Sequence, residues 1–448
     1  MKEAWKKYLD QSVPRYTSYP SALFFGPMDA APYRHALREI APYEPVSLYI
    51  HVPFCKQLCW YCGCNMRVEN RYERTKPYMD ALKTEIHQVA AELGGRGRTS
   101  QLHFGGGTPN FLHAEDLITI LDEIENAFGL TDGTPVAIEL DPRLSSPDSI
   151  ANLARIGITR MSIGVQDFDP FVQAAINRIQ PYELVHDCVA AMRQSGIGDI
   201  SFDLLYGLPR QDERTFRETL RKTLSLAPDR VSLFGYAHLP ERLRHQRLID
   251  DAELPGRAER SALAELGAET LAAAGYRRIG FDHFALPHTA IARADSTARL
   301  NRNFQGFTED PARSVIGLGP SAISSVHGVH AQNDKSITTY SKKLRDSQWA
   351  TSRGIVSTPE QRLVGDWIHG LLCRHAACLA DYFNITDSDE AAMESLMDRL
   401  APLHRDGLVH LSGDRLTIEP EARLLSRVVA AIFDPAVQES GSRLSTAV

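Results

Sequence analysis

The sequence has 448 residues, of which 43% are hydrophobic and 23% charged, and its formal net charge at pH 7 is −7. A chain of this length and composition is typical of a globular protein with two or three domains. The acidic balance argues against a protein that mainly grips phosphate backbones, so we expect no nucleic-acid partner.

The amino-terminal segment is polar and irregular. Its opening, MKEAWKKYLD, carries too many charges for a secretory signal, and the sequence contains no run of eighteen apolar residues. We therefore expect a cytoplasmic protein without a membrane span. The stretch VPRYTSYP (13–20) has no clear periodicity and predicts an extended arm over residues 1–30.

From about residue 46 to 285, short β-rich runs alternate with longer amphipathic segments such as 78–93 and 114–128. The β-rich runs are VSLYIHV (46–52), SQLHF (100–104), VAIEL (136–140), RMSIGV (160–165), ISFDLLY (200–206), RVSLFGY (230–236) and RRIGFDHF (277–284). Strands that alternate with helices indicate βαβ units and a parallel sheet. The predicted fold class is therefore α/β, with a partial parallel (β/α) barrel over residues 31–345.

Polar residues recur where these strands end. Four cysteines follow the first strand, and the later strand ends carry GGGTP (105–109), Glu139 with Asp141, Gln166, Asp203 and Tyr236-Ala237-His238. Active sites of parallel barrels form at the carboxyl ends of the strands. The pattern thus predicts that one mouth of the barrel collects all of these residues.

The cysteine-rich loop is Cys55-Lys-Gln-Leu-Cys59-Trp-Tyr-Cys62-Gly-Cys64. Thiolates spaced four and three residues apart can converge on one iron–sulfur cluster. A structural zinc site is an alternative, but such sites usually take four protein ligands, often as two separated pairs. A redox pair is another, although a CxxC pair alone would not need Cys55. The scattered cysteines are expected to be buried hydrophobes: Cys188, Cys373 and Cys378.

The loop GGGTP and two carboxylates are further candidates for ligand binding. The loop lacks the glycine spacing of phosphate-binding loops. Its glycines either let a ligand approach the backbone closely or form a tight turn. Glu139 and Asp203 lie in apolar strands, where a carboxylate needs a partner. That partner is either a bound ligand or a salt bridge inside the barrel.

After about residue 345 the pattern becomes mostly helical. Helices are predicted around 359–383 and over 421–433, with a hairpin at 407–420 whose turn is Gly413-Asp414. This order resembles a winged helix. Given the acidic balance, we favour a domain over residues 346–448 that packs on the barrel, rather than one that reads DNA.

The CxxxCxxC spacing with an aromatic residue before the third cysteine resembles the radical S-adenosylmethionine (SAM) superfamily. The resemblance implies that Cys55, Cys59 and Cys62 hold one [4Fe–4S] cluster and that Cys64 is not a ligand. The open iron would chelate S-adenosyl-L-methionine, whose reductive cleavage yields a 5′-deoxyadenosyl radical. It also implies a barrel of the radical SAM type.

Ten ordered blocks narrow the resemblance to the oxygen-independent coproporphyrinogen III oxidase family. They are PRYTSYP (14–20), YIHVPFC (49–55), CGCN (62–65), HFGGGTPNFL (103–112), ELDPR (139–143), SIGVQDF (162–168), FDLLYGLP (202–209), YAHLP (236–240), DHFA (282–285) and NFQGF (303–307). Family positions for the cluster-bound S-adenosylmethionine correspond to Tyr49, Gly106, Glu139 and Ile323. Those for a second molecule correspond to Tyr61, Gly107, Thr108, Gln166, Arg178, Asp203 and Ala237. Tyr61 stands where relatives commonly have Phe.

The resemblance implies oxidative decarboxylation of two propionates of coproporphyrinogen III to vinyl groups, with an electron donor for the cluster and an unknown electron acceptor. The four propionates call for cationic partners, with Arg15 and Arg178 as candidates. The arm and the carboxyl-terminal domain are candidate lids, and we expect a monomer. Structural roles are expected for His51, His103, His238 and His283. A haem-binding chaperone or a radical SAM enzyme acting on haem are alternatives, but chaperone relatives typically lack PRYTSYP, CGCN and NFQG.

Overall fold

The computed structural model describes residues 2–9, 11–17, 19–131, 133–439 and 445–446. Its centre is a curved sheet of thirteen strands. Seven of them are parallel and are labelled in chain order β1 Pro45–Val52, β2 Arg98–Gly106, β3 Val136–Leu140, β4 Arg160–Gln166, β5 Asp199–Tyr206, β6 Arg230–Gly235 and β7 Ser314–Leu318. Their spatial order is β6-β5-β4-β3-β2-β1-β7.

Five helices connect consecutive parallel strands from β1 to β6. They are α1 Lys76–Leu93, α2 Ala114–Phe128, α3 Pro147–Arg155, α4 Tyr182–Gln194 and α5 Glu213–Ser225. Helix α2 shows how the sequence specifies these units, because Leu117, Ile120 and Ile124 recur at helical spacing and are buried. Gly129, with φ of 68°, ends α2 in the left-handed conformation that glycine tolerates best.

Antiparallel strands extend both edges of the sheet. The β6 edge continues with His283–Ala285 and then Arg277–Ile279, and the β7 edge continues with Ile323–Val326, Val329–Asn333, Thr351–Val356 and Gly26–Pro27. Within the described residues the two outermost strands do not pair with each other, so the sheet stays open. This confirms the predicted partial barrel.

One predicted strand is a hairpin, and one parallel strand was not predicted. The run 277–284 folds into two short antiparallel strands because Gly280 turns the chain with φ of 60°, and a Cβ there would overlap Phe307. The seventh parallel strand is β7, which pairs with β1 on the side away from β2. Sequence periodicity gave no signal for it because β7 is short and fully buried.

The other helices surround the sheet and build the carboxyl-terminal region. They are Ala31–Arg38, Pro170–Ala175, Arg257–Ala273, Ala290–Ser296, Ile337–Arg345, Pro359–Arg374, Leu379–Ile385, Glu390–Arg405, Ser426–Ile432 and Pro435–Glu439, with 3₁₀ turns at Glu3–Tyr8, Ala22–Phe24, Tyr72–Thr75, Pro109–Phe111, Pro142–Leu144, Arg244–Leu248, Asp251–Glu253 and Pro420–Leu425. Small sheets pair Ser12–Val13 with Ser445–Thr446, Phe54–Cys55 with Arg67–Val68, Asn301–Asn303 with Gly306–Thr308, and Arg415–Ile418 with both Val409–Ser412 and Ala376–Cys378. In the described part of the chain, no helix is long and apolar enough to cross a bilayer.

The hairpin predicted at 407–420 is present, but both predicted helices beside it are divided. His375 takes the left-handed conformation with φ of 55° and ends the first helix, so a strand and a second helix follow within 359–383. The segment 421–433 begins as the 3₁₀ turn Pro420–Leu425 and becomes α-helical at Ser426.

The amino-terminal arm packs against the carboxyl-terminal region. Trp5 and Tyr8 are buried in the same hydrophobic core as Trp367 and Phe433. The indole N–H of Trp5 donates to the carbonyl oxygen of Asp406 at 2.9 Å. Of the predicted arm, residues 1, 10 and 18 lie outside the described residues. The division at residues 30 and 345 stays a prediction, and the central sheet continues to Val356.

Candidate functional site

The cysteine loop leaves the carboxyl end of β1 and folds back over the sheet. The thiol of Cys55 lies 3.2 Å from the buried hydroxyl of Thr108, which follows β2. The backbone N–H of Cys64 donates to the sulfur of Cys62 at 3.4 Å. The structure therefore places the first cysteine next to the GGGTP segment, whereas the third is hydrogen-bonded within its own CGCN block.

Two buried or half-buried amides hold this loop in place. Asn177 donates from its side chain to the carbonyl of Leu58 at 2.8 Å. Gln246 is 1% exposed and donates to the carbonyls of Tyr61 at 3.0 Å and Ala237 at 3.2 Å. The loop is thus fixed to the segments that follow β4 and β6, so that residues distant in sequence share one mouth.

The environment of the thiols differs along the loop. Burial raises the pKa of the Cys55 thiol to about 12, whereas hydrogen bonding from Cys64 lowers the pKa of Cys62 to about 6. Ligation to a metal centre deprotonates thiols regardless of this difference. Among the described residues, no group of three or more His, Cys, Asp or Glu side chains could hold a metal ion. This finding applies equally to a zinc ion and to a cluster on Cys55, Cys59 and Cys62, so it does not separate the two alternatives.

Two arginines connect the second cysteine with a buried carboxylate. Arg178 lies 3.5 Å from the sulfur of Cys59 and 3.5 Å from a carboxylate oxygen of Asp141. Arg143 binds the same carboxylate at 2.6 Å and approaches Cys59 at 3.6 Å. Burial opposes ionisation of Asp141, but Arg178 and Arg143 hold its pKa below the usual value. Two guanidinium groups, those of Arg178 and Arg143, thus lie beside the sulfur of Cys59.

Gly105 and Gly106 end β2 and Gly107 follows it; these three residues, the glycine cradle, lie so close to their neighbours that a side chain at any of them would clash. A Cβ on Gly105 would lie 2.8 Å from Glu139 and 2.9 Å from the ring of Tyr49. Gly106 has φ of 113°, and a Cβ there would lie 2.6 Å from the ring of His51. Gly107 runs against β1, where its N–H donates to the carbonyl of Val52 at 2.8 Å. The structure shows the tight turn, and the binding of a ligand at these glycines stays a prediction.

Glu139 faces the interior of the barrel from β3, with 41% of its side chain exposed. It accepts hydrogen bonds from His103 at 3.2 Å and from the N–H of Gly106 at 3.1 Å. Burial by surrounding protein opposes its ionisation, but His103 and Gly106 keep its pKa below the ordinary value. Tyr49 stacks on His103 with ring centroids 5.9 Å apart. The carboxylate is thus charged, positioned and open to the barrel interior.

The remaining predicted residues line the same mouth from several strands. Gln166 ends β4 with φ of 66°, and Asp203 of β5 is in register with Ser232 of β6. Burial and the charge of Glu139 raise the pKa of Asp203 to about 6. Ile323 starts the strand after β7, where its carbonyl packs against Gly317, the register partner of Tyr49. No salt bridge of the described residues pairs Asp203.

Arg143, Gln246 and Asn177 were not predicted from the sequence. Arg143 had a readable signal, since Asp141 caps the turn Pro142–Leu144 and the arginine stands two residues later. Gln246 and Asn177 had none, because nothing local indicates that their amides reach the cysteine loop.

Comparisons with known proteins agree with this geometry. The family model of the radical SAM superfamily matches residues 49–223. Oxygen-independent coproporphyrinogen III oxidase from Bradyrhizobium diazoefficiens is 41% identical over 428 residues, covering 95% of each chain. The enzyme of that name from Pseudomonas aeruginosa is 38% identical over 433 residues, covering 95% of this chain and 94% of the relative.

A solved structure shares the whole architecture. Coproporphyrinogen III oxidase from Escherichia coli, described as a radical SAM enzyme, superposes with a TM-score of 0.89 at 35% identity. The match covers 95% of this chain and 100% of the solved one. The chain therefore belongs to the oxygen-independent coproporphyrinogen III oxidase family of the radical SAM superfamily.

Proposed function

We propose that this protein is a radical SAM oxidoreductase that converts coproporphyrinogen III to protoporphyrinogen IX without oxygen. The observation that carries the proposal is the cysteine loop, which lies beside the glycine cradle in a chain that matches enzymes of this name over 95% of its length. The reaction turns two propionate side chains into vinyl groups. Each conversion removes one hydrogen atom, one carbon dioxide molecule and one further electron.

The residues of the loop fit a [4Fe–4S] cluster. Three cysteines with thiol side chains lie on one short segment, and the fourth cysteine, Cys64, donates its backbone N–H to the sulfur of Cys62. Such a donor set leaves one iron open. When bound, the cluster with S-adenosyl-L-methionine supplies the 5′-deoxyadenosyl radical. We assign Cys55, Cys59 and Cys62 as the ligands of one cluster per chain.

The chain's own residues then bind and orient the cofactor. We assign one S-adenosylmethionine to Tyr49, Gly106, Glu139 and Ile323. The ionised carboxylate of Glu139 would accept hydrogen bonds from a ribose hydroxyl or an ammonium group, and the absence of a side chain at Gly106 lets the backbone of β2 approach Glu139 and His51 closely. We assign a second molecule to Tyr61, Gly107, Thr108, Gln166, Arg178, Asp203 and Ala237.

The enclosing parts of the chain protect the radical. A radical that abstracts hydrogen attacks any nearby C–H bond, so the mouth must exclude competing groups. We assign this role to the arm, residues 1–30, and to the region 346–448, which share one core. The enzyme would act as a cytoplasmic monomer, with an electron donor for the cluster and a separate acceptor for the substrate electron.

The test is anaerobic turnover. Cluster-loaded protein with a reductant, S-adenosylmethionine, an electron acceptor and coproporphyrinogen III should release carbon dioxide and protoporphyrinogen IX, and Cys59→Ala should lose both iron and activity. Product formation no greater than that of the iron-free control would reject the proposal. Stoichiometric capture of haem without turnover would instead support the chaperone alternative.

A further inference from the structure

Five arginines from five different parts of the chain converge beside the barrel mouth. They come from the arm, the helix Arg257–Ala273, the strand Arg277–Ile279, the strand Asn301–Asn303 and the helix Ser426–Ile432. This arginine cluster consists of Arg15, Arg260, Arg278, Arg302 and Arg427. None of them belongs to the site described above, and of the five only Arg15 was a candidate propionate partner in the sequence analysis.

Three of the five arginines contact Phe281. The guanidinium of Arg302 lies 4.7 Å from the centre of its ring and 4.6 Å from that of Phe307, and Arg427 lies 5.9 Å from the ring of Phe281. Arg278 donates to the backbone carbonyl of Phe281 at 3.0 Å. Phe281 therefore contacts three arginines, two through the face of its ring and one through its backbone carbonyl.

Backbone contacts tie the cluster to the arm and to the barrel. Arg302 donates to the carbonyls of Tyr16 at 3.1 Å and of Arg15 at 3.3 Å. Arg260 donates to the carbonyl of Tyr236 at 2.8 Å, directly after β6. The cluster thus lies where the arm meets the mouth, next to the segment proposed to hold the second cofactor molecule.

The positive charge exceeds the nearby negative charge. One carboxylate, that of Asp282, attracts the charges of four of these residues: Arg15, Arg278, Arg302 and Arg427. The same carboxylate also contacts the ring of His283 at 2.6 Å. Burial lowers the pKa values of Arg278 and Arg427 to about 10.

Arg302 and Arg278 each have a buried donor atom without a hydrogen-bond partner among the described residues. Nη1 of Arg302 and Nε of Arg278 are buried and make no hydrogen bond with the described residues. Burying charged donors is costly unless an anion compensates them.

We propose that the arginine cluster binds the propionate carboxylates of the tetrapyrrole substrate. The inference rests on the proposed function for the identity of that ligand, which carries four carboxylates. Guanidinium groups pair with carboxylates through two parallel hydrogen bonds, and several of them close together suit a molecule with several carboxylates. The Arg15–Tyr16 backbone would then close over the substrate through its contacts with Arg302.

The test is equilibrium binding of coproporphyrin III, the stable oxidised tetracarboxylate, to the anaerobic cluster-loaded protein, followed by absorbance. The uncharged tetramethyl ester serves as the reference ligand. We expect Arg15→Gln and Arg302→Gln each to weaken binding of the acid by roughly tenfold, because each removes a charge-assisted interaction, and to leave the ester unaffected. Arg302→Lys should recover part of the loss.

Controls separate ligand binding from folding. Arg15 is exposed and its guanidinium has no partner among the described residues, so Arg15→Gln removes charge without removing a contact. Arg214→Gln, on the exposed face of α5, is the matched variant that should keep wild-type affinity. Iron content and the thermal midpoint report folding of each variant.

Three results would overturn the inference. One is equal affinity for acid and ester, and another is wild-type affinity for the acid in both folded variants. The third is weaker S-adenosylmethionine binding in the same variants, together with competition between S-adenosylmethionine and coproporphyrin III. That result would mean that the arginine cluster binds the carboxylate of the cofactor. Tight binding of the acid but not of the ester, without turnover, would reject the proposed function but still support the binding of carboxylates by the arginine cluster.

Discussion

Nη1 of Arg178 lies 3.5 Å from the sulfur of Cys59, close enough for the guanidinium charge to act on a thiolate. A reduced cluster carries one more negative charge than the oxidised one, and a nearby cation favours it. Arg178→Gln should therefore lower the reduction potential of the bound cluster by about 60 mV, a tenfold change for one electron. A potentiometric titration followed by electron paramagnetic resonance measures this shift.

Arg178→Lys is the control for that variant. The lysine keeps the charge but loses the fork that also binds the carbonyl of Gly164 at 2.6 Å. We expect its potential to lie between those of the wild type and Arg178→Gln. Identical potentials in all three proteins would show that Arg178 does not act on the cluster.

The two cysteines of the CGCN block should respond differently to replacement. Cys62→Ala should lose most of its iron because a ligand is removed, whereas Cys64→Ala should retain it. The hydrogen bond from residue 64 to the sulfur of Cys62 comes from the backbone N–H, which alanine keeps. Iron and sulfide analysis after anaerobic reconstitution is the measurement. Equal iron loss in both variants would make Cys64 a ligand and contradict the assignment.

Gly106→Ala should weaken cofactor binding and destabilise the fold without abolishing it. The methyl group would lie 2.6 Å from the ring of His51, and the φ of 113° is unfavourable for alanine. We expect destabilisation of about 2 kcal/mol and at least tenfold weaker S-adenosylmethionine binding. Equilibrium dialysis and urea unfolding measure the two effects.

Gly198→Ala is the matched replacement, since a Cβ at Gly198 meets nothing within 4 Å and the backbone is unstrained. Its affinity for the cofactor should equal that of the wild type. If Gly106→Ala also bound the cofactor normally, the cradle would have no role in binding.

The stability of the fold should fall as pH rises from about 4.5 to 7 because of Glu85. Burial raises the pKa of this carboxyl to about 7 from its usual 4.5, although Tyr340 and the N–H of Gly319 donate to it at 2.7 Å. The folded state then binds more protons than the unfolded state in this interval, so raising the pH removes stability. The effect is on the order of 3 kcal/mol.

Glu85→Gln isolates that contribution, because glutamine has no proton to lose. Urea unfolding at pH 5 and pH 7 should show a smaller decline for the variant than for the wild type. A parallel decline in the two proteins would mean that Glu85 ionises with an ordinary pKa.

The sequence predicted those features that depend on local pattern. Alternating β-rich and amphipathic runs identified β1 to β6, and the polar residues at their ends do line one mouth. The predicted domain division, ligand set and cofactor residues stay predictions. Their placement around the glycine cradle supports these assignments without testing them.

What the sequence did not predict depends on long-range packing. Arg143 and Gln246 act through contacts that span 84 and 185 residues, respectively, from Cys59 and Tyr61. The strand β7 joins β1 only because the chain returns after more than 260 residues, a pairing that no local periodicity indicates. The arginine cluster likewise forms only when the arm and the carboxyl-terminal helices fold against the barrel.

The open sheet has a consequence for the size of molecule that the protein can enclose. In a closed barrel, the number of strands fixes the internal diameter, and eight strands leave room for little more than side chains. Here the outermost strands, Arg277–Ile279 and Gly26–Pro27, are unpaired with each other in the described chain. A change in the twist of the sheet can therefore widen the interior without breaking hydrogen bonds between strands. The size of a flat macrocycle that fits inside is then set by the segments that flank the sheet and not by the number of strands.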